Sequence, residues 1–436
     1  MSNFAISIQF FLQLSIILVA IRAMGYLGKR FLGQPQVVCE MITGVLLGPS
    51  FFGHFFPEAF AAAFPKETIP VIYSVAQVGL VLYMFLIGNE FRTDIIRRKL
   101  KSAVSVSISG ILFPFILAAG LAAFVITGEP YFTEGVATWQ RWLFLGAAIS
   151  ITAFPMLARI IYEAKISGTS MGTISLAAGS IDDAAAWCIL AVVLATFAND
   201  PKIAYLAIGG GLAYAIVTMT VVRAMFAKVA AMVEARREKN KRYEMPGFVF
   251  GLVLMALMFA AYVTDAVGIY AVFGAFILGA AMPKGKFAEE LQHKIEPLTT
   301  NLLLPLFFII AGLSTKISLL FESGGMGVMA AILVCSIAGK FIACSVSAKL
   351  TGESTHSALC IGSLMNARGL MELILLNIGL ERGIITPNLY TALVMMAIVT
   401  TLMATPIFNF FYRRMPKEEQ VNQFAEEPHQ EFKKAV

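Results

Sequence analysis

The sequence predicts an all-α, polytopic membrane protein. Of its 436 residues, 58% are hydrophobic and only 14% are charged. The hydrophobic residues form a series of apolar runs, many of them about as long as a helix that crosses a bilayer core of about 30 Å. Because a soluble chain of this length would need far more polar surface, we expect the runs to be transmembrane helices.

Thirteen apolar runs follow one another along the chain, and none of the segments between them is long enough for a soluble domain. We therefore expect one transmembrane domain over 1–411 and a short cytoplasmic tail at 412–436. The predicted helices are 4–24, 35–52, 69–88, 102–127, 142–162, 170–197, 203–224, 246–264, 267–283, 298–314, 326–348, 357–380 and 387–411.

Basic residues are distributed unequally between the two sides of the predicted membrane. Of the 33, 24 lie in or beside loops that follow odd-numbered helices or in the tail, and five lie in loops that follow even-numbered helices. Because cytoplasmic loops retain Lys and Arg, this bias predicts an outside N-terminus and a cytoplasmic C-terminus in the plasma (inner) membrane. The net charge of +6 has the same origin, so we expect membrane lipid, and no nucleic acid, as a partner.

The five cysteines lie inside apolar runs, without a Cys-x-x-Cys pair or a Cys/His cluster. We interpret them as small packing residues. The sequence therefore predicts no cofactor.

Similar segments recur seven helices apart. The third helix reads "LYMFLIGNEFRTDI" and the tenth "PLFFIIAGLSTKIS", while the second ends "ITGVLLGPS" and the ninth "AFILGAAMP". An odd offset orients the two copies oppositely, which predicts inverted repeats over roughly 1–197 and 246–411, linked by the helix at 203–224. Inverted repeats are typical of secondary transporters.

Two adjacent carboxylates, Asp182 and Asp183, lie near the middle of the sixth predicted helix, and Lys340 lies at a similar depth in the eleventh. A charge at the bilayer centre costs about 2.5–3.5 kcal/mol, so a packing role alone does not explain it. One lysine cannot neutralise both carboxylates, which favours a coupled site that holds a proton or a cation. The alternative is a buried ion pair with only a structural role.

Two further helices are interrupted at the same depth. Pro155 in the fifth helix removes a backbone N–H and displaces the carbonyl of Ile151, and Thr152 adds a hydroxyl beside the break. Freed carbonyls at membrane depth are tolerated where they line a cavity or meet a ligand, so paired broken helices predict a transport site. The twelfth helix, seven helices later, carries polar or helix-breaking residues at the matching place: Asn366, Arg368 and Gly369.

Seven segments between about 30 and 410 resemble, in order, the monovalent cation/proton antiporter superfamily. The branch is the one that contains bacterial Na+(K+)/H+ antiporters, glutathione-gated potassium efflux systems and plant cation/proton exchangers. The segments are "GQPQVVCEMITGVLLGPSFFG", "LVLYMFLIGNEF", "SITAFPMLARI", "SIDDAAAWCILA", "GIYAVFGAFILGAAMP", "EPLTTNLLLPLFFIIAGL" and "NARGLMELILLNIG".

The resemblance implies a homodimer in which each subunit has a panel domain and a mobile core with two crossed, unwound helices. It implies that Asp183 is the carboxylate that binds cation and proton, with Thr152 beside it. Lys340 matches a basic residue that pairs with a core aspartate, here Asp182, and Arg368 matches the arginine of the second unwound helix. Many relatives carry Asn-Asp where this chain has two aspartates, so electroneutral exchange is not implied.

We therefore predict a secondary antiporter, not an enzyme, that exchanges a monovalent cation for protons. The expected cation is Na+, bound by Asp183 and Asp182, with K+ or Li+ as alternatives. A Na+-coupled organic-anion symporter of similar fold and a K+/H+ efflux antiporter remain open. An ion channel and an intramembrane aspartyl protease are also open, although such a protease brings its aspartates from two different helices.

Overall fold

The computed structural model describes residues 2–32, 34, 36–90, 99–127, 130–166, 169–198, 201–237, 245–267, 271–313, 315–321, 325–417 and 420. These residues are almost entirely helical. The only β-type pairing among them is one antiparallel bridge between Phe132 and Ile385. The all-α prediction is confirmed.

The helices are numbered in chain order. A π-helical turn continues α1 at Gly28–Leu32, α6 at Leu121–Val125, α10 at Thr218–Val222 and α14 at Thr299–Leu303. The helices of the described residues are α1 (Asn3–Leu27), α2 (Gln36–Leu47), α3 (Phe52–Phe55), α4 (Pro57–Ala63), α5 (Ile69–Glu90), α6 (Leu100–Gly120), α7 (Thr138–Ser150), α8 (Phe154–Glu163), α9 (Ser170–Ala198), α10 (Pro201–Val217), α11 (Arg223–Arg237), α12 (Gly247–Val267), α13 (Ala271–Ala281), α14 (Lys286–Leu298), α15 (Leu304–Leu313), α16 (Ser318–Phe321), α17 (Gly325–Leu350), α18 (Thr355–Leu364), α19 (Leu370–Glu381) and α20 (Pro387–Arg414).

Within the described ranges, eight helices are long and apolar enough to cross a membrane. The predicted count of thirteen spans is not confirmed. The predicted helices at 142–162 and 357–380 are each interrupted, and each consists of two short helices. The eight spans are Asn3–Phe31, Val38–Phe55, Ile69–Glu90, Leu100–Val125, Gly209–Ala235, Gly247–Val267, Gly325–Leu350 and Pro387–Arg414.

The predicted helix at 298–314 starts too late, because the helical segment begins at Lys286. Its first part, α14, is amphipathic: it buries Phe287, Leu291 and Ile295 and carries polar residues between them. A helix of this kind has apolar residues at helical spacing with polar residues between them. It therefore contains no continuous apolar run by which it could be recognised. The predicted helix at 203–224 ends too early, since α11, which contains several charged residues, continues it.

The chain divides into two compact units. The first unit comprises Met1–Leu27, Cys39–Phe91 and Trp187–Ser314. Within it, α5 and α13 approach so closely that their backbones touch. A side chain at Gly88 would collide with the Phe276 carbonyl, and one at Gly279 with the Phe85 carbonyl. In lipid, the hydrophobic effect does not drive helices together, and close packing takes its place. Small residues such as these glycines allow the two backbones to approach closely enough for that packing.

The second unit comprises Gly28–Val38, Arg92–Ala186 and Thr315–Val436. In it, α6 packs against α7 and α17, while α18 packs against α17 and α20. Its core holds many polar side chains, and all the candidate site residues named from the sequence lie in this unit. The first 17 residues of α9, from Ser170 to Ala186, belong to it and carry both aspartates.

Candidate functional site

Two interrupted helices meet in the second unit. The first break, Ile151–Ala153, separates α7 from α8, and the second break, 365–369, separates α18 from α19. The Ala153 amide donates to the Ala367 carbonyl at 3.0 Å, and the Thr152 hydroxyl donates to the Met365 carbonyl at 2.9 Å. Each break therefore satisfies backbone groups that the other leaves without a helical partner.

Buried cations cap the carboxyl end of α7. The Arg368 guanidinium donates to the carbonyls of Ala148 at 2.9 Å and Ile151 at 3.2 Å, and also to that of Ile149. The Lys340 ammonium donates to the remaining carbonyl, that of Ser150. The last carbonyls of a helix lack intrahelical partners and carry partial negative charge, so two cations at this end compensate both.

Asp182 is held by two donors from two different helices. Lys340 Nζ on α17 lies 2.8 Å from Asp182 Oδ2, which is the partner expected from the sequence, and both side chains are completely buried. The Ser107 hydroxyl on α6 donates to Asp182 Oδ1 at 2.6 Å. Both oxygens of this carboxylate are thus engaged with protein groups.

Asp183, the next residue of α9, is also buried, with 2% exposure, but it is bonded differently. The backbone amide of Phe154, the first residue of α8, hydrogen-bonds to its carboxylate. A helix N-terminus stabilises a negative charge placed there. Asp183 Oδ1 has no hydrogen-bond partner among the described residues. One oxygen of the site is therefore available for a proton or a cation.

Comparison with known proteins then identifies the family. Residues 15–413 match the family model described as "Sodium/hydrogen exchanger, transmembrane". The chain belongs to the sodium/hydrogen exchanger family. It is therefore an integral, multi-pass membrane protein of a family of transporters.

Two relatives, one bacterial and one from a plant, are similar to this chain over most of its length. The chain is 38% identical over 396 residues to the Na(+)/H(+) antiporter NhaS4 of Synechocystis sp., covering 90% of this chain and 94% of that protein. It is 34% identical to cation/H(+) antiporter 20 of Arabidopsis thaliana over 94% of this chain but only 49% of that protein. The chain thus spans about half the length of the plant relative.

A solved structure shows that the fold is that of this family. The sodium proton antiporter MjNhaP1 from Methanocaldococcus jannaschii matches with a TM-score of 0.63 and 16% sequence identity, covering 96% of this chain and 100% of that one. The prediction of a sodium/proton antiporter-like fold is confirmed.

The remaining predicted site residues of this exchanger lie in or next to the two breaks. Pro155 is in the first turn of α8, where its missing N–H costs nothing. Asn366 donates to the Gly362 carbonyl at 3.2 Å, and its Oδ1 has no hydrogen-bond partner in the described part of the chain. Gly369 precedes α19 and lies beside Ala153 in extended backbone.

Glu372 is a further buried carboxylate of the exchanger, with 1% exposure. Its Oε2 lies 3.7 Å from Nη1 of Arg368, which is four residues earlier in the chain. Neither of its carboxylate oxygens has a hydrogen-bond partner within the described residues. Arg368 is therefore shared between this carboxylate and the carbonyls of α7.

Sequence reasoning missed two hydroxyls. Ser107 bonds to Asp182, and Ser336 on α17 accepts a hydrogen bond from the Arg368 guanidinium. Ser107 is only seven residues from the start of α6, whereas Asp182 is twelve residues from the start of α9. Counting depth along each helix therefore did not place them together. The available signal was the series of serines in "KSAVSVSISG", because serines in a membrane-spanning helix are enriched where it contacts other helices.

Proposed function

We propose that this exchanger is an antiporter that moves a monovalent cation against protons by alternating access, with Asp183 as the group that binds either one. The observation that supports this most strongly is the difference between the two aspartates. Asp182 is fully bonded to Lys340 and Ser107, whereas Asp183 has an oxygen without a partner. A buried carboxylate oxygen requires a proton or a cation to replace its lost hydration.

Protons and cation would compete for Asp183, because a carboxylate that holds a proton has lost the negative charge that attracts the cation. Thr152 lies in the first break, where its hydroxyl oxygen donates to Met365 and keeps lone pairs that could face a cation. When the cation arrives, Lys340 would leave Asp182, and both aspartates and Thr152 would contribute oxygen ligands. Hard monovalent cations such as Na+ prefer oxygen ligands of this kind.

Na+ is the proposed cation, with K+ and Li+ as the alternatives. NhaS4, of which this chain covers 94%, is named as a Na(+)/H(+) antiporter, and this supports Na+. With two carboxylates and one lysine at the site, exchange of more than one proton per cation is proposed, and the transport would then be electrogenic.

The proposed setting is the plasma or inner membrane, with the N-terminus outside and the C-terminal tail in the cytoplasm. The loop bias in Lys and Arg supports this orientation. The transmembrane domain would consist of two inverted repeats, with the interrupted α7–α8 and α18–α19 as corresponding pairs. A homodimer is proposed as the assembled form.

The test is transport by purified protein in proteoliposomes that contain a pH-sensitive dye. Addition of Na+, K+ or Li+ outside is expected to move protons in the opposite direction in the parent protein and in Asp265→Asn, which removes a carboxylate far along the chain from the site. Asp183→Asn is expected to abolish the movement with all three cations. Full activity in Asp183→Asn would overturn the assignment.

An imposed membrane potential tests the stoichiometry in the same vesicles. If exchange is electrogenic, a potential of suitable sign drives proton movement without a cation gradient. A transport rate that does not respond to the potential would show electroneutral exchange. It would contradict the proposed stoichiometry of more than one proton per cation.

A further inference from the structure

Ser107 makes a contact that the proposed cation site does not yet explain. Its side chain on α6 is completely buried and donates to Asp182 Oδ1 at 2.6 Å. We propose that Ser107 is a positioning residue that holds Asp182 in its binding orientation while Lys340 leaves. This inference rests on the proposed antiport function and concerns how tightly the site binds its cation.

The contact differs from those made by several other serines in the described part of the chain. Serine hydroxyls in helices commonly donate to the carbonyl one turn earlier, as Ser7, Ser15 and Ser74 do. The hydroxyl of Ser107 instead reaches a carboxylate on another helix. A buried hydroxyl that crosses between helices to a charged group makes a stronger and more specific bond than one satisfied within its own turn.

The α6 backbone brings Ser107 to this position through close packing on α17. The Ser105 and Ser347 hydroxyls share a hydrogen bond at 2.8 Å, and Ser347 lies three residues after Cys344 on α17. A side chain at Gly110 would lie 2.7 Å from Cys344 Sγ and 3.6 Å from Lys340 Cε. The glycine thus lets α6 lie directly against the lysine that pairs with Asp182.

These contacts place the two donors to Asp182 on different helices. Lys340 comes from α17 and Ser107 from α6, and each takes one carboxylate oxygen. Loss of one donor therefore leaves the other oxygen still fixed. Lys340 can exchange Asp182 for another partner without releasing the carboxylate to rotate.

The role of Ser107 is then greatest in the cation-bound state. Before the cation binds, Asp182 is held by Lys340 whether or not the hydroxyl is present. After Lys340 has left, Ser107 is the one remaining protein donor to Asp182 that the described contacts include. Without the Ser107 hydroxyl, cation binding would also have to fix the orientation of the Asp182 carboxylate, which costs free energy. Removal of the hydroxyl should therefore destabilise the cation-bound state more than the resting state.

The kinetic consequence is a change in affinity. We expect Ser107→Ala to raise the apparent KM for Na+ about tenfold, the effect of losing one hydrogen bond to a charged group, with the maximum rate changed by less than about twofold. Ser107→Thr keeps the hydroxyl and should restore the parent KM. Ser107→Cys keeps the shape with a weaker donor, and it should give an intermediate KM.

Ser105→Ala is the matched control. It removes a hydroxyl from the same helix and breaks a contact to the same α17, but it does not touch Asp182 or Lys340. The experiment measures Na+ concentration dependence of proton movement in proteoliposomes for the parent and the four variants. The expected result is a raised KM in Ser107→Ala and Ser107→Cys only.

An equal KM in Ser107→Ala and Ser105→Ala would overturn the inference, as would a failure of Ser107→Thr to restore affinity. If Ser107→Ala does not fold, the comparison of Ser107→Cys with Ser107→Thr decides the question in the same way. Failure of the proposed function itself is recognised separately, because Asp183→Asn would then still transport.

Discussion

The backbone amide of Ala153 lies 3.0 Å from the carbonyl of Ala367 and donates a hydrogen bond to it. This bond joins the two helix breaks of the second unit. Each break exposes backbone groups that lipid cannot satisfy, so each provides partners for the other. Arg368 and Lys340 then bind the carbonyls at the end of α7. The two breaks therefore supply hydrogen-bond partners to each other, and the buried cations bind the carbonyls that remain at the end of α7.

Lys340→Met should destabilise the protein strongly. The substitution leaves Asp182 as a buried carboxylate without its cation and the Ser150 carbonyl without its donor. Breaking one side of a buried pair costs about 3–5 kcal/mol. Thermal unfolding of detergent-solubilised protein should show a clearly lower midpoint than in the parent.

The double variant Lys340→Met with Asp182→Asn supplies the control for this prediction. It removes both charges, so most of the lost stability should return. If Lys340→Met alone unfolds at the same temperature as the parent, the ion pair with Asp182 does not contribute to stability, which contradicts this prediction.

Arg368→Lys should fail to replace arginine although it keeps the charge. The guanidinium donates to the carbonyls of Ala148 and Ile149 in α7, to that of Ile151 just after it, and to the Ser336 hydroxyl. A compact ammonium cannot reach all four acceptors. We expect a loss of about 2 kcal/mol or more from carbonyls left without donors. Unfolding midpoints measure the loss, and Arg382→Lys, outside the breaks, serves as a control that should leave stability unchanged.

Thr152→Val should weaken both the junction of the breaks and cation binding. Valine has nearly the same shape but cannot donate to the Met365 carbonyl, which costs about 1 kcal/mol. The proposed cation ligand is lost as well, so the KM for Na+ should rise. Thr152→Ser retains the hydroxyl and should behave like the parent in both measurements. A parent-like KM in Thr152→Val would remove this residue from the site.

Cation affinity should fall as the pH falls. A proton on Asp183 excludes the cation, so lowering the pH fills the site with protons and raises the apparent KM for Na+. Where protons already occupy most of the sites, competition by one proton gives about a tenfold change per pH unit. Concentration series at several pH values, with equal pH on both sides of the vesicle membrane, measure this slope. A pH effect on the maximum rate alone would contradict competition.

The main elements of the site could be predicted because depth in a helix follows directly from residue count. Asp182, Lys340 and the Pro155 break were expected at one depth, and the structure brings them together in the second unit. A charge near the bilayer centre is costly, so its presence is informative even in a single sequence.

Other parts could not be predicted, since they depend on where helices begin relative to each other. Ser107 lies nearer the start of its helix than Asp182 does, yet the two side chains touch. Arg368 caps α7 because of the way the two breaks cross. Residue spacing along the sequence does not determine how two helices cross, so this contact could not be predicted. The amphipathic α14 was missed because its polar residues interrupt the apolar run.

Proton release on cation binding measures whether the proton and Na+ compete for Asp183. Purified protein in detergent is placed in weakly buffered solution, Na+ is added, and the pH is recorded. We expect Na+ to displace protons from the parent protein and from Asp265→Asn, and we expect none to be released from Asp183→Asn. Equal proton release from Asp183→Asn and the parent would contradict the claim that the proton and the cation compete for Asp183.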